Sequence, residues 1–274
     1  MNKILLSIII SLFAIHISNA QKLKGNKNVI TEEREVMSFS SIVVKNKCNL
    51  FLEKSSTNSL RIEADENLLP AIETNLIDGV LEISLSQEII RKKALNIYVG
   101  ITKSIRRIEA QDRVKIIGKS DIYADSIELI AKDYASIELT LIASKLTLRG
   151  EDKSSMELSV NSNEDLFVIL DQKSFVKMNT ATKKLRLSLT GNTAIELSGS
   201  CKELIATTNT NSHVRAKDLL ADYAAIKTTG KSNVYINVAK EIIIEAEELS
   251  EIYLYGTPKV FIDNFKDRST LYKR

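Results

Sequence analysis

The residues of this chain that could do chemistry are few. Beyond the first twenty residues His213 is the single imidazole, so a Ser-His-Asp centre would depend on it. Its neighbour Ser212 is a poor nucleophile candidate, because adjacent residues on a strand face opposite ways. Glu138 and Glu157 stand nineteen residues apart, with Glu128 and Asp133 near them in sequence. Brought side by side, the pair could hold calcium or act as the carboxylates of a retaining glycosidase, which sit about 5 Å apart. A calcium site gathers six or more oxygens, so a solvated acidic pair relieved by Lys177 is the favoured reading. Arg215, Tyr235 and Tyr253, with Tyr255 close by, could form a cation–aromatic strip that takes a sugar or peptide by stacking. Cross-rung packing of surface aromatics explains the same residues. The expectation is therefore no catalytic residue, no metal and no cofactor, with that strip as the candidate ligand contact.

Composition narrows the classes further. The 274 residues carry 38 Lys+Arg against 35 Asp+Glu, a formal charge of +3, which lacks the strong basic bias of a nucleic-acid or anionic-membrane binder. At 44% hydrophobic residues the chain can fill a core and is not disordered. Nine Gly, two Pro and two His argue against a Gly-rich phosphate cradle or a His-based metal centre. Cys48 and Cys201 lie far apart, one in a strand pattern and one in a turn, and are expected to be two free, half-buried thiols.

What must position these residues is a repeat. The phrase small-or-hydroxyl, any, apolar, polar, apolar recurs as Ala135–Leu139, Ser154–Leu158, Ser174–Met178, Thr193–Leu197, Ser212–Ala216, Ser232–Ile236 and Ser250–Leu254. Its central residues follow one another at spacings of 19, 20, 19, 19, 20 and 18. A second alternating run follows each phrase, as in Leu146–Leu148, Leu166–Leu170 and Leu185–Leu189. Short strands with one apolar face cannot bury it alone, whereas coils stacked about 4.8 Å apart place like over like. An all-β, right-handed parallel β-helix of 19–20 residues per coil is predicted, each coil holding two short strands separated by polar turns. Its interior would carry the columns Ile137, Met156, Val176, Ile195, Val214, Val234, Ile252 and Leu139, Leu158, Met178, Leu197, Ala216, Ile236, Leu254. The column between them, Glu138, Glu157, Lys177, Glu196, Arg215, Tyr235, Tyr253, would face out. The hydroxyl column Ser154, Ser174, Thr193, Ser212, Ser232, Ser250 suits a tight bend and hydrogen bonds to the next rung. A helical solenoid is excluded by the short period and the missing 3.6-residue pattern.

Three segments organise the chain. Residues 1–20 read as a signal peptide: Lys3, an apolar stretch from Ile4 to Ile17, and Ser18-Asn19-Ala20 as the cleavage pattern. An uncleaved N-terminal anchor is the alternative. The mature chain from Gln21 would be exported, to the periplasm or the cell surface, with no later membrane-spanning stretch. Residues 21–110 form an irregular, strand-rich cap, with a hairpin at Asp78-Gly79 and a helical turn at Asp65–Leu69 ahead of Pro70. Residues 111–274 form the repetitive part, continuous with the cap. Pro258 and the charged segment Asp263–Arg268 are expected to blunt the last coil.

Phe39–Val44, Asn49–Glu53, Leu60–Leu69, Ile72–Thr74 and Asp78–Ile83 together resemble the opening of the bacterial head GIN domain, a family described as putative auto-transporter adhesins. The resemblance spans roughly residues 36 to 263, a range set by the repeat count. It implies an exported right-handed β-helix of Bacteroidota-type bacteria and transfers no catalytic or binding residue. Members are richer in Gly at the turns, where this chain has Lys153, Lys173 and Asn192. The chain also ends at Tyr272–Arg274 without the strands of an outer-membrane barrel.

Two functions follow from this reading. The first is a non-catalytic adhesion, interaction or scaffold protein of the bacterial cell envelope, binding an envelope polymer, glycan, protein or a second copy of itself. The alternative is a polysaccharide-acting lyase or hydrolase on a β-helix. An enzyme needs carboxylates and cations converging in a groove, whereas here the charges alternate in sign along the coils.

Overall fold

A computed structural model describes residues 22–274; the expected export segment 1–20 and its cleavage point lie outside the described residues. Period-two alternation makes almost every element a strand. The N-terminal part holds β1 (Leu23–Lys24), β2 (Val29–Arg34), β3 (Ser41–Val44), β4 (Asn49–Lys54), β5 (Ser59–Asp65), a 3₁₀ turn (Glu66–Ala71), β6 (Ile72–Ile77), β7 (Val80–Leu85), β8 (Ile89–Arg91) and β9 (Leu95–Ile101). There follow β10 (Arg107–Ala110), β11 (Lys115–Gly118), β12 (Ile122–Ala131), β13 (Ser136–Gly150), β14 (Ser155–Leu170), β15 (Phe175–Leu189) and β16 (Ala194–Thr208). The chain closes with β17 (His213–Thr228), β18 (Asn233–Ala246), β19 (Glu251–Tyr255), β20 (Lys259–Phe265) and β21 (Thr270–Lys273).

These strands build a parallel β-solenoid of about 9 turns. The repeated phrases stack into one face, through Ile137↔Met156↔Val176↔Ile195↔Val214↔Val234↔Ile252. The second runs stack into the opposite face, through Leu146↔Leu166↔Leu185↔Leu204↔Ala224↔Ile242. Both expected columns of the first face are buried, from Ile137 to Leu254, and a single apolar cluster extends from Phe39 to Leu254. Each rung thus supplies what its neighbour needs, and no rung could bury its apolar face alone.

Each coil differs from the predicted pair of short strands. In β13 to β18 the two runs are halves of one strand of 14 to 16 residues, and the coil has one polar turn. At the other corner the backbone stays extended and paired, as in Leu141↔Val160 and Ile142↔Asn161, with only local register slips. Continued pairing there satisfies backbone groups that a second turn would leave open.

The polar turn has its own column. Asp112, Asp133, Asp152, Gln172, Gly191, Thr210, Gly230, Glu248 and Asp267 all adopt positive φ. From Asp133 onward the residue after each donates its N–H to the preceding turn, as Lys153 N to Asp133 O (2.8 Å) and Lys231 N to Thr210 O (2.6 Å). The left-handed position lies one residue before Lys153, Lys173 and Asn192, so those side chains carry no backbone strain. The hydroxyl column is buried beneath the turns: Ser174 Oγ donates to Asp171 O, Ser212 Oγ to Asn209 O and Thr193 Oγ1 to Ser212 Oγ. Ser154 Oγ has no hydrogen-bond partner.

The N-terminal part is woven into the stack. On the second face β3 lies between β7 and β10, and on the first face β4 lies between β9 and β11, all parallel. Beyond them the pairing turns antiparallel, with β5 on β9, β2 on β5, and β6 on β7 across the Asp78-Gly79 hairpin. The helical turn forms at Glu66–Ala71, but Asp65 does not cap it. The Asp65 carboxylate is fully buried and accepts the N–H groups of Lys27 (3.1 Å), Lys93 (3.1 Å) and Ala94 (3.0 Å). Gly25 packs so closely over it that an added Cβ would lie 1.8 Å from Asp65 Oδ2.

At the other end the expected stop at Pro258 is absent. Pro258 sits in a turn, and β20 and β21 add a further rung on β18 and β19. Asp263 is the extra residue of a bulge within β20, between Ile262 and Asn264 in the pairing with β18, so the charged segment begins inside a strand. Cys48 and Cys201 are free and fully buried rather than half-buried, and burial pushes each thiol up to about 12.

Candidate functional site: a groove along the first face

The outward column of the first face forms the floor of a groove of about 970 Å³. It runs along the solenoid axis, from Gly118 and Glu138 to Tyr235 and Tyr255. Parallel pairing in register aligns Glu138, Glu157, Lys177, Glu196, Arg215, Tyr235 and Tyr253 on successive rungs, because each occupies the same place in its phrase. Thr140, Ser159, Asn179 and Ser198 line one side as a parallel column of hydroxyls and an amide. Next to Ser198 the register slips at Lys217 and Asp218, and both residues line the groove. Bulges commonly re-aim side chains in this way.

The charges on the floor are mutually compensated. Lys177 Nζ lies 2.8 Å from Glu157, Arg215 Nη1 2.9 Å from Glu196 and Lys115 Nζ 3.8 Å from Glu138. Glu138 and Glu157 do stand side by side, but each has its own cation. Such exposed pairs contribute at most about 1 kcal/mol each and leave a surface of alternating sign. Away from the groove, two buried carboxylates have shifted acidity. For Asp65, burial pushes the pKa up, but the N–H groups of Ala94, Lys93 and Lys27 outweigh it and hold the carboxyl below its ordinary value. Glu109, buried on the second face, is likewise held down against burial by Arg107, Gln111 and Lys132.

Ser212 and His213 diverge as the strand geometry requires. Ser212 points inward to Asn209 O, whereas His213 lines the groove, its imidazole pushed below the ordinary value by burial and then by Arg215. A Ser212–His213 couple is therefore not assembled.

The aromatic strip is placed differently from a stacking platform. Tyr235 and Tyr253 lie face to face, 4.3 Å between centroids, and Tyr253 stacks on Tyr272 at 4.8 Å. Arg215 turns away to Glu196, and the cation over the rings is Arg274, 5.3 Å from Tyr253 and 5.8 Å from Tyr272. Tyr253 is thus covered by a ring on each face, whereas Tyr235 and Tyr272 each turn one face into the stack. Among the described residues Tyr255 stacks on no other ring, and it lines the groove at its tyrosine end. Tyr272 and Arg274 were not among the expected site residues, although Tyr272 keeps the nineteen-residue spacing from Tyr253.

The fold and site together are a repetitive parallel β-solenoid with a long groove on one outer face, lined by polar side chains and by Leu139, Leu158, Met178 and Leu197. The family model described as "Putative auto-transporter adhesin, head GIN domain" matches residues 38–258, and the chain belongs to that family. Similar solved structures include a putative adhesin from Parabacteroides merdae, at 19% identity and TM-score 0.66, covering 92% of this chain and 99% of that one. A putative adhesin from Parabacteroides distasonis has 15% identity and TM-score 0.67, covering 93% and 100%. A protein of the latter organism described as a putative lipid binding protein has 17% identity and TM-score 0.54, covering 92% and 97%. At these identities the likeness is one of fold. No curated protein matches the chain. Among the described residues no helix is long and apolar enough to cross a membrane.

Proposed function

We propose that this chain is an exported, non-catalytic binding protein of the bacterial cell envelope, and that its first-face groove lies along a linear polar polymer, an envelope glycan above all. The observation that carries this reading is the direction of the groove. It follows the solenoid axis, so its side chains recur every rung, about 4.8 Å, close to the length of one pyranose ring. The column Thr140, Ser159, Asn179, Ser198 offers hydroxyl and amide partners at that repeat, and the floor offers both signs of charge. Tyr255 supplies a free ring face at one end. Floor carboxylates each held by their own cation favour binding over proton transfer to a substrate.

The test is a glycan array and isolated envelope fractions probed with the chain from Gln21, alongside fractionation of native cells. Binding to an envelope polysaccharide is expected, and Ser159→Arg with Ser198→Arg should weaken it at least about tenfold by filling the groove, with an unchanged melting temperature. No polysaccharide bound at millimolar concentration, or a filled groove that binds as well as before, would overturn the reading.

A further inference from the structure

The two ends of the solenoid are finished differently. At the N-terminal end the edges are guarded. The Arg34 guanidinium donates to Ile72 O (2.6 Å) and Leu69 O (3.1 Å), and β2 reads Thr31-Glu-Glu-Arg34 along its outer half. Charged and covered edges of this kind prevent strand addition. At the other end, among the described residues, β20 pairs only with β18 and β21 only with β19. Their second edges carry unpaired backbone groups. The inward residues of β20 are uncovered as well, Val260 at 39% and Ile262 at 53% exposure, although they sit in register over the buried Ile242 and Ile244. Among the described residues no strand covers the interior at this rung.

The sequence of that open edge is self-complementary. In Lys259-Val-Phe-Ile-Asp263 the two ends carry opposite charge, the two inner positions are apolar, and Phe261 is the centre. Antiparallel pairing of this segment with its own copy about Phe261 sets Lys259 opposite Asp263, Val260 opposite Ile262 and Phe261 opposite Phe261. By strand alternation Lys259 and Phe261 fall on the outer side and Val260 and Ile262 on the inner side, over the open core, with Asp263 at the bulge that follows Ile262. Parallel or shifted pairing loses the charge match.

We infer that the β20–β21 rung is a head-to-head dimer interface, in which a second copy pairs antiparallel about Phe261 and closes the interior. The two-fold axis runs perpendicular to the two faces, so the same rotation sets β21 against its counterpart, and each surface meets itself as an isologous contact requires. Rotation about that axis keeps the first face pointing the same way in both copies. The two grooves then lie in line on one side of the dimer, and the Tyr235–Tyr253–Tyr272 stack approaches its own copy at the join. The strands contribute 7 and 4 residues per copy. That is fewer than the roughly 20–30 per side of a standard interface, which places association in the micromolar range. Binding of one long polymer would gain from the paired grooves through avidity.

Sedimentation velocity on the chain from Gln21, from low to high micromolar concentration, tests the inference. A concentration-dependent dimer is expected. Ile262→Lys should abolish it with an unchanged melting temperature, since Ile262 is already half exposed in the monomer. Asp263→Lys should weaken dimerisation about tenfold, and the double variant Lys259→Asp with Asp263→Lys should restore it. A monomer at every concentration, a dimer indifferent to these substitutions, or a charge-swapped variant that fails to recover would each overturn the inference.

Discussion

Tyr235 and Tyr253 stand on adjacent rungs with ring centroids 4.3 Å apart and planes within 3° of parallel. This contact exists because parallel strands in register put the same position of each phrase directly over the last, and it turns a sequence repeat into a surface ladder. The ladder continues to Tyr272, so both faces of Tyr253 are spent inside it. Tyr253 is the middle ring, and its hydroxyl donates to Glu251 at 2.8 Å.

Tyr253 should ionise late. The hydrogen bond to Glu251, then burial and the nearby negative charges, push its hydroxyl up to about 12. A folded value above the unfolded one means the contribution to stability is complete below pH about 10 and is lost as pH rises towards 12. Ultraviolet titration at alkaline pH should show a late tyrosine that disappears in Tyr253→Phe, with thermal stability of the parent falling more steeply across that window.

Asp65 gives the opposite dependence. Its folded value is depressed, so its contribution is present above the ordinary carboxylate range and is lost as pH falls through the folded value. Asp65→Asn should cost about 2 kcal/mol at neutral pH by weakening charge-assisted hydrogen bonds to buried N–H groups. Denaturant unfolding of both chains at pH 7 and again in acid checks this, and the gap should shrink in acid.

Thr180 Oγ1 is buried on the third inward position of its rung and has no hydrogen-bond partner. Its register neighbour Val160 shows that a valine fits this column. Thr180→Val should therefore stabilise the chain by about 1 kcal/mol, read as a raised denaturant midpoint with unchanged slope.

Thr210 carries a β-branched side chain at φ 69°, in the turn column where Gly191 and Gly230 flank it. Left-handed backbone costs a branched residue more than glycine, by about 1–2 kcal/mol. Thr210→Gly should raise the melting temperature despite the larger unfolded-state entropy of glycine, whereas Gly230→Thr should lower it, since a Cβ there would meet Thr210 O at 2.3 Å.

The interior columns were legible in the sequence because Met156, Val176 and their equivalents repeat type at fixed spacing, and stacking admits one register for them. The outer column from Glu138 to Tyr253 follows from the same arithmetic, as does the opposite facing of Ser212 and His213. The final rung was not legible: Ser269-Thr-Leu-Tyr-Lys273 keeps the nineteen-residue spacing, but Lys273 stands in place of the last apolar residue of the phrase. The weaving of β3 and β4 between later strands was also hidden, since it depends on non-local partner choice among segments of similar alternation. Arg215's preference for Glu196 over the tyrosine stack is a matter of side-chain direction, on which spacing is silent.

Hydrogen–deuterium exchange with and without an envelope polysaccharide tests the proposed binding surface, the first-face groove, along its whole length. Protection is expected along one line of segments, those carrying Glu138, Glu157, Lys177, Glu196, Arg215 and Tyr235, with the second face unchanged. Protection centred on the second face, on the turn column, or on no segment at all would contradict it.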